Sequence, residues 1–358
     1  MNSATYLDYA AAAPIDPAAI AAMTHAAQLG GNPSSVHASG RAANALLEDS
    51  RSTLARHAAV VPGSIVFTSG GTEAIGLALG GRSWARIFVS AVEHDAVLAQ
   101  SKGATIIPVD GNGVIDLAAL EARLTEAPEN GLVAVMQANN ETGVIQPLAD
   151  VAALARRAGA ALLVDAVQGF GKLPFPDADF VAVSAHKLGG PPGTGALIVR
   201  DPANLQAVQR GGQERGLRGG TQNLPGIAGF AAALDARAAD TGWHDRATAL
   251  RDRLEARLGV RAHGSGAPRL GTIACLPMPG VPAMTQVMAL DMAGFAVSAG
   301  AACSSGKVKA SHVLAAMGVA APGEAIRVSL GWNTSEAEVD AFAAAWLVLR
   351  DRLGRRAA

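Results

Sequence analysis

Two short runs set chemistry-capable side chains directly after stretches of apolar residues. ALLVDAVQ ends in Asp165 and Gln168, and DFVAVSAHK ends in Ser184, His186 and Lys187. The chain has five lysines, Lys102, Lys172, Lys187, Lys307 and Lys309; one behind a buried strand stands apart, whereas Lys102 and Lys172 read as solvent-facing loop residues. Desolvation lowers an amine's pKa and leaves it a nucleophile toward carbonyl groups. A carboxylate in the same setting needs a cationic or hydrogen-bonding partner. In TSGGTEA, Gly70 and Gly71 lead into a helix beginning near Thr72, and the free N–H groups of such a turn bind phosphate. VEHDAVL adds Glu93 and His94, and ANNETG adds Asn139 and Asn140. Taken singly, each has an ordinary reading as a glycine turn, a hydrogen-bonded histidine or an Asx turn.

A different chemistry is offered by VSAGAACSSGKVKASH, where Ala, Ser and Gly surround Cys303 and Lys307, Lys309 and His312 follow it. Small neighbours predict a loop, and nearby cations favour the thiolate, the reactive form. The segment reads as a nucleophile or sulfur carrier, with an unreactive loop cysteine as the alternative. It is not a nucleotide loop, because Val308 follows Lys307 where Ser or Thr is required. Cys275, within TIACLP, reads as a core strand residue.

These residues need a scaffold, and the rest of the chain supplies one. SIVFTS (64–69), RIFVSA (86–91), LVAVMQ (132–137), ALLVDA (161–166), DFVAVSA (179–185) and GALIV (195–199) are short continuous apolar runs, the pattern of strands buried on both faces. Helical segments separate most of them, as at Pro147–Ala158, whose stripe of Leu148, Val151, Ala152 and Ala155 stops at Gly159. Earlier helices are predicted after the Asp16–Pro17 cap and from about Gly40 to His57. Alternation of this kind predicts an α/β fold with a mostly parallel, doubly wound sheet, whose ligands sit beyond the carboxyl ends of the strands. After about Thr241 the texture changes to an Arg-rich helix, a Pro-rich strand region, the Cys303 loop and a closing helix capped by Ser335 and Glu338. The expected division is a large domain over 16–240 and a smaller α+β domain from 1–15 and 241–358.

Composition narrows the partners. Half the residues are hydrophobic and the formal net charge is −1, so a packed core is expected and a basic footprint for nucleic acid or an anionic membrane is not. Two cysteines make no disulfide framework, and no basic segment precedes Arg41, so no secretory signal is expected and the cytoplasm is the expected compartment. The uncharged span 270–290 contains Pro277, Pro279 and Pro282 and reads as strand, turn and helix, not a membrane span.

Combined, the strand-end residues fill the positions that one cofactor needs. Lys187 suits a Schiff base, Asp165 a protonated pyridine nitrogen, the glycine turn with Ser184 and His186 a phosphate, and His94 a ring face, which together describe pyridoxal phosphate. A zinc site from His94, His186, His312 and Cys303 is the competing constellation, and no pair of them has close ligand spacing.

Ten ordered segments carry a resemblance that runs nearly end to end. They are YLDYAAAAP, GNPSSVHASGR, VFTSGGTEA, VEHDAVL, NNETGVIQP, VDAVQGFGKLP, SAHKLGGPPGTGALIV, GGQERGLRGGTQN, GAACSSGKVKASHVLAAMG and IRVSLGWNT. The chain resembles the cysteine desulfurases of the NifS/IscS type, class V aminotransferase relatives within the fold type I pyridoxal phosphate enzymes. The resemblance implies that Lys187 is joined to the cofactor, Asp165 pairs with its ring nitrogen, His94 stacks on the ring, and Asn140 and Gln168 lie beside it. Gly71, Thr72, Ser184 and His186 would hold the phosphate, Thr221 would reach the other subunit's phosphate site in a homodimer, and Arg327 with Asn32 would take the substrate carboxylate. Cys303 aligns with the persulfide-forming cysteine. The implied reaction converts L-cysteine to L-alanine and passes sulfur to a carrier or scaffold protein for iron–sulfur cluster or related biosynthesis. Alternatives are a selenocysteine lyase or small-amino-acid aminotransferase on the same fold, and a non-catalytic partner protein. The chain departs from the family pattern at Ala185, where glycine is common, and at Pro192, Ile75 and Gly76.

Overall fold

The structure, a computed structural model, describes residues 4–126, 130–300 and 310–357. Cys303, Lys307 and Lys309 lie outside the described residues.

The strands in chain order are β1 (Thr5–Tyr6), β2 (Ile65–Thr68), β3 (Arg86–Ser90), β4 (Thr105–Ile107), β5 (Gly131–Ala134), β6 (Ala161–Asp165), β7 (Phe180–Ser184), β8 (Gly195–Val199), β9 (Ile273–Pro277), β10 (Phe295–Ala296) and β11 (Ala325–Ser329). Seven of them form one sheet in the order β2-β8-β7-β6-β5-β3-β4. All its pairings are parallel except those of β8, which runs antiparallel to β2 and β7. Every residue of β2, β5, β7 and β8 is buried, as continuous apolar runs require in a sheet covered on both faces.

The predicted helix signals act as sequence chemistry dictates. Asp16 caps the helix Pro17–Leu29 by accepting from the Ala18 N–H at 2.8 Å, and a second helix runs over Ala38–Ala58. Ser335 and Glu338 form the reciprocal capping box, with Ser335 N donating to Glu338 at 2.8 Å and Glu338 N donating to Ser335 Oγ at 3.3 Å. The helix Glu336–Ala357 buries Val339, Phe342, Trp346 and Leu349.

The apolar interior lies in separate clusters. Those flanking the large sheet are built between Ala26 and Leu234, whereas another joins Leu7 to residues from Leu250 to Leu349 around the antiparallel pair β9 and β11. The N-terminal segment joins the two regions: β1 pairs with β10, Asp8 bridges to Ser329, and the Ala13 N–H donates to the His186 carbonyl at 2.8 Å.

Candidate active site

Side chains from β6, β7 and β11 and from the segment after β3 meet in one cavity of about 650 Å³ at the carboxyl ends of the sheet strands. Lys187, Asp165, Gln168, His94, Asn140, Ser184, His186, Gly71, Thr72 and Arg327 all line it. Asn32 and Thr221 are exposed and are not part of its wall.

Lys187 follows β7 in a single 3-10 turn, and its Nζ donates to the Ala10 and Ala11 carbonyls at 2.7 Å each. Burial, then the charge of Arg327, brings its amine down to about 8, against the opposing charges of Asp8 and Asp165. Asp165, the last residue of β6, is buried, and burial lifts it above the usual carboxylate range despite the Val167 N–H that donates to its Oδ1 at 2.9 Å. Gln168 donates from Nε2 to the Ala10 carbonyl at 2.9 Å, while its buried Oε1 has no partner.

His94 caps the short helix Asp95–Leu98, its Nδ1 accepting from the Ala96 N–H at 3.0 Å, which fixes the ring orientation. Of the two asparagines, Asn139 builds the turn by accepting from the Glu141 and Thr142 N–H groups at 2.9 Å, which leaves Asn140 to face the cavity. Arg327, in the middle of β11, donates from Nη1 to the Asn140 carbonyl at 2.9 Å and from Nη2 to Asp8 at 2.8 Å, while its Nε is buried without a partner.

A second hollow of about 230 Å³ lies between Ser69–Glu73, Ser184, His186 and Gly193. Gly71 begins the helix Gly71–Gly80, so its N-terminal N–H groups open onto this hollow. Gly70 adopts φ 155°, and a Cβ on Gly71 would lie 2.5 Å from Val167 Cγ2, so the helix start approaches the segment after β6 this closely only because Gly71 has no side chain. Ser184 Oγ lies 2.8 Å from His186 Nδ1, and burial with the charge of Lys187 brings His186 down to about 4, so its ring is neutral near pH 7.

The donor set fits pyridoxal phosphate. A buried carboxylate paired only with a backbone N–H calls for a cation, an orphaned Gln168 oxygen calls for a donor, and the glycine hollow calls for an anion. Among the described residues, no group of three or more His, Cys, Asp and Glu is placed to hold a metal ion.

Sequence reasoning missed several supports. Lys172, read as solvent-facing, is partly buried, and burial with the charge of Lys187 brings it down to about 7. Glu93 is fully buried behind β3, takes the Met136 N–H on Oε1 at 2.7 Å, and is pushed well above the carboxylate range by burial and by Asp165. Glu141 accepts from Ser311 Oγ at 2.6 Å, and burial raises it too. Their chain positions gave no signal, because what marks them is burial against residues distant in sequence. The departure at Gly76 has a local reason: a Cβ there would clash with Gln100, whose Nε2 donates to the Thr72 carbonyl at 3.1 Å.

Fold and cavity together define a fold type I pyridoxal phosphate enzyme of NifS-like architecture. The aminotransferase class-V family model matches residues 5–342. A cysteine desulfurase of Cereibacter sphaeroides is 43% identical over 363 residues, covering 94% of this chain and 92% of that protein. An IscS-like cysteine desulfurase of Mycobacterium tuberculosis is 38% identical over 372 residues, covering 94% and 93%. Among solved structures, a NifS-like protein from Rickettsia africae superposes with a TM-score of 0.90 at 30% identity, covering 97% of this chain and 99% of that one. SspA in complex with cysteine superposes with a TM-score of 0.78 at 26% identity, covering 91% and 99%. The chain belongs to the aminotransferase class-V family, among its cysteine desulfurases of the NifS/IscS type. No helix among the described residues is long and apolar enough to cross a membrane.

Proposed function

We propose that this protein is a pyridoxal phosphate-dependent L-cysteine desulfurase, in which Cys303 takes the sulfur and L-alanine leaves. The observation that carries the reading is the meeting of Lys187, Asp165 and Arg327 in one cavity, since it joins an amine, a ring-nitrogen partner and a carboxylate site. Its relatives named as cysteine desulfurases and a neighbour solved with cysteine support the choice of substrate.

When bound, pyridoxal phosphate supplies a carbonyl carbon for amines and an electron sink for the substrate Cα. Lys187, with its amine near 8, is neutral often enough at physiological pH that it would serve as a nucleophile toward the cofactor's carbonyl carbon and as the base for the Cα proton. Asp165 holds the positive charge at the ring nitrogen, and His94, locked by its cap, covers the ring face. Asn140 and Gln168 would flank the ring, Gly71, Thr72, Ser184 and His186 would hold the phosphate, and Arg327 with help from Asn32 would take the substrate carboxylate. Cys303 thiolate attacks the substrate sulfur; a sulfur–sulfur bond forms as the carbon–sulfur bond breaks with its electron pair left on carbon, and of the two thiol protons one goes to that carbon to make the alanine methyl group and the other stays with the persulfide, so no external oxidant enters.

The reading extends to a homodimer in which exposed Thr221 reaches the neighbour's phosphate site, to a sulfur-accepting protein partner, and to action in the cytoplasm. It also divides the chain into 16–240 and 1–15 with 241–358, a division supported by the separate apolar clusters. The test is to supply purified holoprotein with L-cysteine and a reductant. Alanine and sulfide in equal amounts support the reading; a keto acid in place of alanine contradicts it.

A further inference from the structure

Asp8 lies two residues before the carbonyls that hold Lys187, and it is not part of the cavity wall. Its Oδ1 accepts from Arg327 Nη2 at 2.8 Å, with side-chain exposures of 20% for Asp8 and 5% for Arg327. The backbone around it is fixed against β11: Asp8 bridges to Ser329, and the Ala10 N–H donates to Ser329 Oγ at 2.9 Å. Residues 8–11 therefore grip the arginine through a carboxylate and the lysine through two carbonyls. With Nη1 on the Asn140 carbonyl and Nη2 on Asp8, two of the three guanidinium nitrogens are pinned and the plane of the group is set.

We propose that Asp8 is a positioning residue with two effects: its ion pair fixes the plane in which Arg327 meets a substrate carboxylate, and its charge screens Lys187 from Arg327. The first effect rests on Arg327 being the carboxylate site; the second needs only the charges and their places. The groups that face Lys187 are Asp165 from β6, Arg327 from β11, Lys172 after β6, the neighbouring His186, and Asp8 from the N-terminal segment. Burial is the largest influence on its amine, Arg327 lowers it further, and Asp8 and Asp165 oppose that lowering.

Two variants separate the effects. Asp8→Asn keeps an oxygen that accepts from Nη2 and removes the charge; Asp8→Ala removes both. In the full chain freed of cofactor, competitive acylation across pH, read on the Lys187 peptide by mass spectrometry, gives the titration midpoint of that amine without need of turnover. The midpoint falls below the wild-type value in both variants, because the charge of Arg327 is then opposed by Asp165 without Asp8. In the holoenzyme with L-cysteine, KM for Asp8→Asn stays within about threefold of wild type, whereas Asp8→Ala raises KM about tenfold or more with a smaller change in kcat, as loss of a charge-assisted hydrogen bond predicts. Circular dichroism checks folding, and if Asp8→Ala does not fold, the Lys187 midpoint of Asp8→Asn decides. A midpoint that is unmoved or raised in Asp8→Asn, or a KM for Asp8→Ala equal to that of Asp8→Asn, overturns the proposal. Failure of the desulfurase reading would appear instead as wild-type holoprotein that makes no alanine, with the acylation result still standing.

Discussion

Glu214→Gln is predicted to cost far more stability than its exposure to substrate would justify. Glu214 and Arg51 form a two-pronged ion pair at 2.8 and 3.0 Å, with side-chain exposures of 1% and 3%. The same carboxylate takes the Phe67 N–H at 2.9 Å and Gln222 Nε2 at 3.0 Å, so it ties together the helix Ala38–Ala58, β2 and the segment leading to Thr221. Burial pushes Glu214 upward, yet Arg51, Gln222 and the Phe67 N–H together hold it below the usual carboxylate range. Its contribution is thus present above the ordinary carboxylate pKa and is lost as pH falls through the lower folded value. Glutamine preserves the volume but leaves the buried Arg51 cation with the half-exposed Glu48 as its remaining ion partner, so the loss falls near the lower end of the roughly 3–5 kcal/mol that breaking a buried pair costs. The ion pair of Arg56 with Asp235 is the control: both side chains are more than half exposed, and Asp235→Asn is expected to cost at most about 1 kcal/mol. Urea unfolding at pH 7.5, followed by circular dichroism, gives both values. A Glu214→Gln loss within about 0.5 kcal/mol of the Asp235→Asn loss would refute the reasoning, since burial is the property that separates them.

Other outcomes follow from the site. Gly71→Ala places a Cβ 2.5 Å from Val167 Cγ2, beside the residue whose N–H holds Asp165, so it weakens pyridoxal phosphate binding; a fluorescence titration with unchanged affinity contradicts the close approach. Addition of pyridoxal phosphate to the cofactor-free chain accelerates as pH rises through about 8, because only the neutral Lys187 amine attacks, and a pH-independent rate is the contrary result. His186 and His244 are held down to about 4 by burial, so the unfolded chain binds more protons than the folded one between pH 6.5 and 4 and stability falls across that window on acidification; urea midpoints that rise instead would reverse the sign. Cys275 is buried, and burial pushes its thiol far above the usual range; it resists alkylation in the folded protein, and Cys275→Ser leaves turnover intact at a stability cost of about 1–3 kcal/mol.

The site was legible to the extent that its residues follow buried strands. Asp165 ends β6, Ser184 ends β7, and His186 and Lys187 follow it, so one apolar run and one topological rule located each. Strand limits were read to within a few residues, as at 132–137 against the observed Gly131–Ala134, because apolar residues continue past the paired segment into the site. The antiparallel placement of β8 could not be read, since a buried run looks the same in either direction. Asp8, Glu93 and Glu141 gained no role because their significance lies in contacts with Arg327, Met136 and Ser311, more than forty positions away in each case. Lys172 was misjudged for the opposite reason: glycine and proline neighbours signal a loop, and this loop packs inward.

The central claim is that sulfur leaves L-cysteine for Cys303. Brief exposure of the purified holoprotein to L-cysteine without reductant, followed by peptide mass spectrometry, should find one added sulfur atom on the peptide containing Cys303, removable by a thiol reductant, and none in Cys303→Ser. Added sulfur on the Cys275 peptide, or turnover of L-cysteine by Cys303→Ser at the wild-type rate, would contradict it.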